Sequence, residues 1–324
     1  MAKQMLAELT DGAAVSTLAV LKSKRKADYK NKVGTYLAVT LADNSGTIEA
    51  KMFDGGEDAF GRIFEGKLVE ISGKAQKYNN SISILLDSIV EYDDEFNHDD
   101  FMPAYSGDYK ILERELDQII ASVIDIDLKR LLKDIFSDEN IRPAFCTAPA
   151  ARGVHGAYIH GLLEHVVRLC RLADSVSTLY PQIDRDILLT GALLHDIGKI
   201  YEFSWSLSIE YTVLGSLHGH LVLGDRMLTD RCRQNDVPED KAMKISHLIL
   251  SHHGIPEYGT VVVPRTLEAM VLHHIDNMEA KITHCQEMLQ TGLESSQWTE
   301  WDRVEGRQWY KGNNSGNNQN ESAE

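Results

Sequence analysis

The sequence predicts a multidomain α+β protein, in which a small N-terminal β-barrel is followed by an all-α helical bundle. Three observations lead to this prediction. Residues 12–92 contain short runs that alternate apolar and polar side chains, as half-buried strands do. From Tyr109 onward, apolar residues recur at three- and four-residue steps, which indicates helices. The length of 324 residues exceeds that of one typical core and suits two domains.

Four segments of the N-terminal region have the alternation of strands, and they lie at 35–41, 47–53, 67–73 and 81–86. Turn residues separate them, and a short helical stretch lies near 57–64. Four or five short strands with one short helix fit a small Greek-key barrel. The strand-turn-strand at 37–51 resembles that of the nucleic-acid-binding OB-fold. The resemblance implies that residues 1–95 are an OB-type nucleic-acid-binding domain.

A basic cluster precedes the first predicted hairpin. Six cations face one anion, Asp28, so the local charge is +5 in a chain of net charge −16. The cations are Lys22, Lys24, Arg25, Lys26, Lys30 and Lys32. Together with the aromatic residues Tyr29, Tyr36, Phe53 and Tyr78, they resemble a site that tracks single-stranded nucleic acid. The alternative interpretation is a solvated basic loop, with the aromatic rings in the core.

The second half of the chain has a helical pattern throughout. The acidic stretch before Pro103 and Gly107 predicts a linker at 96–110, and residues 111–311 then form the all-α domain. After two helices that begin near Tyr109 and Leu128, further helices are predicted at 160–180, 184–197, 216–234, 239–253 and 264–290. The Asn-, Gly- and Ser-rich segment 312–324 predicts a disordered tail.

Composition restricts the location and the partners. The four cysteines are far apart in sequence, which favours reduced thiols in a cytoplasmic protein. No apolar run approaches the roughly 18 residues of a membrane span, and the N-terminus has no signal-peptide pattern, so no membrane partner is expected. The net acidity argues against a surface that coats nucleic acid broadly, so any contact would use a local patch. The sequence is compatible with a homo-oligomer.

Histidines and aspartates recur inside the apolar patterns of the predicted helices. The set comprises His165, His195, Asp196, His220, His252, His253 and Asp276. A buried ionisable group without a partner costs several kcal/mol, and a single such histidine is usually satisfied by its neighbours. A shared pair of divalent cations would satisfy all of the set at once. Because the donors are imidazole and carboxylate without thiolate, Mn²⁺ is favoured, and Fe, Co²⁺ or Mg²⁺ is also compatible.

The order of these residues resembles that of the HD-domain metal-dependent phosphohydrolase superfamily. Its minimal pattern is matched by His165, the His195-Asp196 doublet and Asp276. The resemblance implies that Asp196 bridges two metal ions. One ion would be bound by His165, His195 and Asp276, and the other by His220 with His252 or His253.

Longer motifs extend the resemblance to the bacterial YhaM-type 3′→5′ exoribonucleases. They include residues 191–199, 249–254, 268–276 and 306–311, and that family also carries an N-terminal OB-fold. The resemblance implies that the protein hydrolyses phosphodiester bonds at the 3′ end of single-stranded RNA and releases nucleoside 5′-monophosphates. Single-stranded DNA is also left open as a substrate.

The implied catalytic residues are Asp196, His195 and Lys199. Lys199 would contact a non-bridging phosphate oxygen, or it would be a cation favoured by a helix C-terminus. Two alternatives compete with the nuclease. A phosphohydrolase of nucleotides or cyclic dinucleotides is disfavoured because a mononucleotide needs no strand-binding barrel. A non-catalytic nucleic-acid-binding protein is disfavoured because no expected ligand residue is missing.

Overall fold

The computed structural model describes residues 3–29, 33–78, 81–97, 100–153, 156–290 and 296–312, with Tyr78 described by its backbone alone. The chain divides into two compact units. The first comprises Met1–Gly107, Tyr158–His160 and Phe203–Thr212, and the second comprises Asp108–Ala157, Gly161–Glu202 and Val213–Glu324. The predicted class, a barrel followed by a helical region, is confirmed. The tail from residue 313 lies outside the described residues.

The first unit is built on a closed five-stranded barrel. Its strands are β1 (Ala14–Asp28), β2 (Thr35–Asp43), β3 (Gly46–Met52), β4 (Leu68–Tyr78) and β5 (Ser81–Glu91). They follow the order β1-β2-β3-β5-β4, in which β3 and β5 pair in parallel and the other pairs are antiparallel. Alternate residues such as Leu37, Leu41 and Ile71 are fully buried inside the barrel. The helix α1 (Gly56–Arg62) lies between β3 and β4 in sequence.

The first strand is not among the four segments that the sequence predicts. β1 has 15 residues and includes the basic stretch from Lys22 to Lys26, so the interpretation of that stretch as a loop is wrong. The register shifts between Leu21 and Ser23, and β1 then pairs with β2 as far as Asp28. Because charged side chains cover this half of the strand, its apolar alternation disappears, although its backbone hydrogen bonds to β2 remain.

Part of the segment predicted as a linker is packed inside the first unit. Phe101 and Met102 are buried, and Phe101 clusters with Val20 and Leu68 of the barrel strands. A small hairpin of β6 (Phe203–Ser204) and β7 (Glu210–Tyr211) also belongs to this unit. Its position could not be predicted from the sequence, because it interrupts a long helical region.

The second unit is helical. Its helices are α2 (Tyr109–Ser122), α3 (Ile126–Ser137), α4 (Ile141–Thr147), α5 (Gly161–Leu179), α6 (Arg185–Leu194), α7 (Lys199–Glu202), α8 (Val213–Gln234), α9 (Glu239–Ser251) and α10 (Leu267–Gln290). Asp108, Asp125 and Asp184 begin α2, α3 and α6 by accepting hydrogen bonds from free backbone N–H groups. Within the described residues, no helix has the length and the apolar character needed to cross a membrane.

Candidate metal centre and nucleic-acid interface

Seven side chains from five segments of the helical unit come together, and they are the seven singled out from the sequence. His165 lies on α5 and Asp276 on α10. The others lie at helix ends or breaks, at His195, Asp196, His220, His252 and His253. A helix end allows adjacent residues to point in one direction, which the regular helix interior does not.

The first group contains His165, His195 and Asp276. The Nε2 atoms of His165 and His195 are 3.2 Å apart. The Oδ1 atom of Asp276 lies 3.3 Å from Nε2 of His165 and 3.9 Å from Nε2 of His195. Ligands at about 2.1 Å from one ion are separated by about 3.0 Å at a right angle and about 3.4 Å at a tetrahedral angle. The spacing of the group therefore fits three ligands of one cation.

The second group contains His220, His252 and His253. The Nε2 atoms of His220 and His253 are 3.2 Å apart. Each of the three residues offers a nitrogen that lies within 4.8 Å of the other two. Three imidazoles that face one another in this way fit a second cation.

Asp196 lies between the two groups and offers one oxygen to each. Its Oδ2 atom lies 3.3 Å from Nε2 of His195 and 3.7 Å from Nε2 of His165. Its Oδ1 atom lies 3.4 Å from Nε2 of His220 and 3.6 Å from Nε2 of His252. Oδ1 is buried and has no hydrogen-bond partner among the described residues. Such an orphaned oxygen is costly, and a cation beside it would remove the cost.

Two glutamates orient histidines of this centre, and sequence reasoning missed both. Oε2 of Glu279 lies 2.6 Å from Nδ1 of His165, and Oε2 of Glu202 lies 3.0 Å from Nδ1 of His220. When Nδ1 donates to a carboxylate, Nε2 is left with a free lone pair for a metal. Glu279 had a signal, because it lies three residues after Asp276 on the same helix face. No sequence pattern marks Glu202.

Backbone carbonyls orient two further histidines in the same way. Nδ1 of His195 donates to the carbonyl of Ala192 at 2.9 Å, and Nδ1 of His252 donates to the carbonyl of Ile249 at 2.8 Å. Four imidazoles therefore direct Nε2 into the centre.

Two glycines allow the helix break that brings in His220. Gly219 interrupts α8 with φ of 68° and ψ of 159°, a backbone conformation that residues with a side chain rarely adopt. The break frees the N–H of His220, which donates to Oε1 of Glu202 at 3.1 Å. A Cβ atom added at Gly198 would lie 2.0 Å from the carbonyl oxygen of His220. A larger residue there would therefore push α8 away from Asp196.

The protonation of the centre follows from burial and from its carboxylates. Burial opposes ionisation of Asp196, but Lys199 and His195 hold the pKa of its carboxyl group well below the usual range. Burial would lower the pKa of His165, but hydrogen bonds with Asp276 and Glu279 outweigh it and raise this pKa to about 10, so a cation that binds Nε2 of His165 would displace a proton. Burial and the nearby imidazoles lower the pKa of His253 to about 4, which keeps it neutral as a ligand must be.

Lys199 contacts Asp196 directly. Its Nζ atom lies 2.6 Å from Oδ2 of Asp196, and its side chain is mostly buried. The ammonium group therefore fixes the carboxylate that lies between the two histidine groups.

The predicted nucleic-acid-binding residues of the barrel do not all face one surface. Lys24 donates from Nζ to the carbonyls of Phe60 and Ile63 at 2.7 and 2.6 Å, so it is held at the C-terminal end of α1. Lys26 pairs with Glu57 of α1 at 2.8 Å. Both lysines therefore have partners within the barrel unit, and their contact with nucleic acid stays a prediction. Lys30 and Lys32 lie outside the described residues.

Arg25 lies on the other side of β1, on a face shared with aromatic rings. The strand register places Arg25, Ala38 and Lys51 side by side across β1, β2 and β3. The ring centroids of Tyr29, Tyr36 and Phe53 are 5.2–5.9 Å apart. The side chains of Arg25 and Lys51 make no hydrogen bond or ion pair with any described residue. We call the five residues Arg25, Tyr29, Tyr36, Lys51 and Phe53 the barrel face.

Sequence reasoning missed Lys51. It lies in the outward series Thr47, Glu49 and Lys51 of β3, which Phe53 continues just after the strand, so the alternation could have revealed it. Lys22 is exposed at the register shift of β1.

Two family models agree with this architecture. Residues 162–281 match the model of the HD domain, and residues 15–92 match that of an OB-fold nucleic acid binding domain. The second OB-fold domain of replication protein A from Methanococcus maripaludis is 18% identical over 29% of this chain and 98% of that chain, with a TM-score of 0.24.

Two curated relatives match nearly the full length. The 3′-5′ exoribonuclease YhaM of Bacillus licheniformis is 32% identical over 84% of this chain and 86% of its own length. The protein of the same name from Bacillus subtilis is 31% identical over 93% of this chain and 95% of its own length. The chain therefore belongs to the YhaM family of 3′-5′ exoribonucleases.

Proposed function

We propose that this protein is a metal-dependent 3′→5′ exoribonuclease that releases nucleoside 5′-monophosphates from single-stranded RNA. One observation carries the proposal: the buried carboxylate of Asp196 presents one oxygen to each of two histidine groups. This arrangement suits two cations held close together, as in enzymes that cleave phosphodiesters. Both curated relatives are named 3′-5′ exoribonuclease, and each matches most of this chain and most of its own length, which supports the same activity.

The centre's own residues would bind and position the reacting groups. One ion would be held by His165, His195 and Asp276. The other would be held by the imidazoles of His220, His252 and His253. Asp196 would contribute an oxygen to each ion. Two bound divalent ions supply positive charge for the phosphate oxygens and lower the pKa of a water near the phosphorus. Lys199 keeps Asp196 ionised and fixed in place, which assigns it a positioning role rather than a direct contact with phosphate.

We propose Mn²⁺ as the native metal, because the donors are five imidazoles and two carboxylates and include no thiolate. Metal analysis of protein purified without added metal checks this assignment. A chain loaded with Fe or Co²⁺ would contradict it.

The barrel face would bind the single strand. Arg25 and Lys51 are cations whose side chains have no partner among the described residues and could contact phosphates. Tyr29, Tyr36 and Phe53 offer rings on which bases stack. Stacking on rings and contact with phosphates tolerate any base sequence, as an exonuclease requires.

The test is hydrolysis of end-labelled single-stranded RNA by the purified protein with Mn²⁺. We expect a ladder that shortens from the 3′ end, and no ladder with Asp196→Asn, whose fold is checked by circular dichroism. Asp174→Asn is the matched control, since it removes an exposed carboxylate of the same unit. An active Asp196→Asn protein that binds no metal would overturn the proposal.

Assays with other substrates under the same conditions distinguish the exoribonuclease from the alternative functions. Single-stranded DNA of the same sequence tests the preference for RNA. Release of phosphate from free nucleotides or opening of cyclic dinucleotides, without shortening of RNA, would support a small-molecule phosphohydrolase instead. The cytoplasmic location expected from the reduced cysteines stays a prediction, which cell fractionation checks.

A further inference from the structure

A short C-terminal hairpin concentrates the tryptophans of the chain. Residues 296–311, here called the aromatic hairpin, contain three of the four tryptophans, at positions 298, 301 and 309, together with Tyr310. Isolated bridges pair Trp298 with Tyr310 and Asp302 with Arg307. No motif of the metal centre or of the barrel face includes this segment.

The aromatic hairpin is held by a buried carboxylate rather than by an apolar core. Oδ2 of Asp302 accepts from Nε1 of Trp309 at 3.0 Å and lies 2.8 Å from Nε2 of His284 on α10. Oδ1 accepts from the backbone N–H groups of Val304 and Glu305. Asp302 thus closes the turn and attaches it to α10. Trp301 takes no part in these contacts of Asp302.

The rings are left in solvent. Trp301 is 61% exposed, Tyr310 is 56% exposed and Trp298 is 49% exposed. The rings of Trp298 and Tyr310 lie side by side with centroids 5.2 Å apart. Three large exposed aromatic residues on so short a segment indicate a binding surface, because a folded chain ordinarily buries such rings.

Charges of both signs surround the rings, and they include the guanidinium groups of Arg303 and Arg307. The acids Asp302 and Glu305 are engaged internally, the first with His284 and the second with Lys281 and Arg307. The guanidinium of Arg307 also lies 5.4 Å from the ring of Trp309. Arg303 is an exposed cation, and Glu300 is an exposed anion. Rings beside guanidinium groups are the chemistry that stacks and neutralises single-stranded nucleic acid.

The position of the hairpin fits a strand that leaves the metal centre. His284 and Asp276 are eight residues apart on α10, so the attachment point lies about 12 Å along the helix axis from the candidate ligand. Stacked nucleotides rise by about 3.4 Å each, so this distance corresponds to about four of them.

We propose that the aromatic hairpin is a second binding site for single-stranded RNA, on which bases upstream of the 3′ end stack. This inference rests on the proposed nuclease function and adds to it a site that the metal centre and the barrel face do not supply. It predicts that affinity depends on Trp301 only when the RNA is long enough to reach the hairpin.

The test uses the full chain in EDTA, so that RNA is bound without being cut. Fluorescence anisotropy of a labelled adenylate oligonucleotide gives the dissociation constant. We expect Trp301→Ala to weaken binding by at least about fivefold and Trp301→Phe to restore most of it, because phenylalanine keeps a stacking face. Tyr180→Ala is the matched control, since Tyr180 is an equally exposed ring of the same unit.

Hydrolysis of an adenylate dinucleotide separates this inference from the proposed function. With Mn²⁺, wild type and Trp301→Ala should cleave the dinucleotide equally, because it cannot reach the hairpin. If wild type cleaves the dinucleotide but Trp301→Ala binds the long oligonucleotide as tightly as wild type, the second site is disproved. Loss of self-association on sedimentation with unchanged RNA affinity would instead identify a protein-binding surface. If wild type cleaves nothing, the proposed function has failed and the binding result stands on its own.

Discussion

The ligand set of the candidate centre was predictable residue by residue, whereas the groups that orient it were not. His165 and Asp276 stood out because each is an ionisable side chain inside an apolar helical pattern. Glu279 is separated from His165 by 114 residues, and only the folded chain brings them to 2.6 Å. The sequence places Glu279 on the helix face of Asp276, but it does not reveal that the partner of Glu279 is His165.

The two glutamates give a prediction about metal content. Glu279→Gln should weaken the ion held by His165, and Glu202→Gln the ion held by His220, by about 10- to 100-fold each, because an amide orients Nδ1 less strongly. Isothermal titration calorimetry with the metal measures the affinities of the two ions separately. Glu115→Gln, a carboxylate paired with Arg171 on the same unit, is the control. Equal effects of both variants on both ions would contradict the pairing.

Among the elements, β1 departed furthest from the sequence prediction. Strand alternation identified β2 to β5 because one face of each is apolar. The second half of β1 has charges on both faces, with Lys24 and Lys26 directed to α1 and Arg25 to the opposite side. Sequence reasoning grouped these cations by proximity, but the strand directs their side chains to opposite sides.

Neighbouring cations of β1 should therefore behave differently when neutralised. Lys24→Met removes two charge-assisted hydrogen bonds to the end of α1, and we expect it to lower the free energy of unfolding by about 2 kcal/mol. Arg25→Met should change stability by less than about 0.5 kcal/mol. It should instead reduce the slope of log affinity against log salt by about 0.7. Urea unfolding measures the stability of the two variants, and RNA titrations at several salt concentrations measure their salt dependence. The prediction is refuted if Arg25→Met lowers stability and Lys24→Met reduces the salt slope.

The aromatic hairpin has its own dependence on pH. Burial would raise the pKa of Asp302, but hydrogen bonds from Trp309 and the turn backbone outweigh it and hold this pKa at about 2, against 3.8 ordinarily. Because the folded pKa is the lower one, the stability from Asp302 is complete above about pH 4 and is lost as the pH falls towards 2. Tryptophan fluorescence in a Trp205→Phe background should report this loss. Asp302→Asn should lack the transition, and its persistence in that variant would assign it to another group.

At the scale of the whole molecule, periodicity was enough to predict the class and the order of the two parts. It could not predict that residues 203–212 group with the barrel, because that assignment depends on contacts such as those of Leu207 with the cluster at Phe101. Helices α5, α6, α8, α9 and α10 all contribute to one centre, so its formation depends on their common packing.

Metal should therefore stabilise the helical unit as a whole. A ligand that binds the folded chain alone adds about 2.7 kcal/mol at a hundred times its dissociation constant. We expect Mn²⁺ to raise the thermal midpoint of wild type and EDTA to reverse the rise. Asp196→Asn should respond much less, because it removes the carboxylate common to both groups. A shift of equal size in both proteins would show that Mn²⁺ binds elsewhere.

The single carboxylate between the two histidine groups also has a thermodynamic consequence. An ion that binds one oxygen of Asp196 alters the charge and the mobility of the other oxygen. The occupancies of the two metal sites are therefore linked. Such linkage is reciprocal: whatever the first ion does to the affinity of the second, the second does to the first. The metal saturation curve of this protein should therefore depart from that of two independent sites.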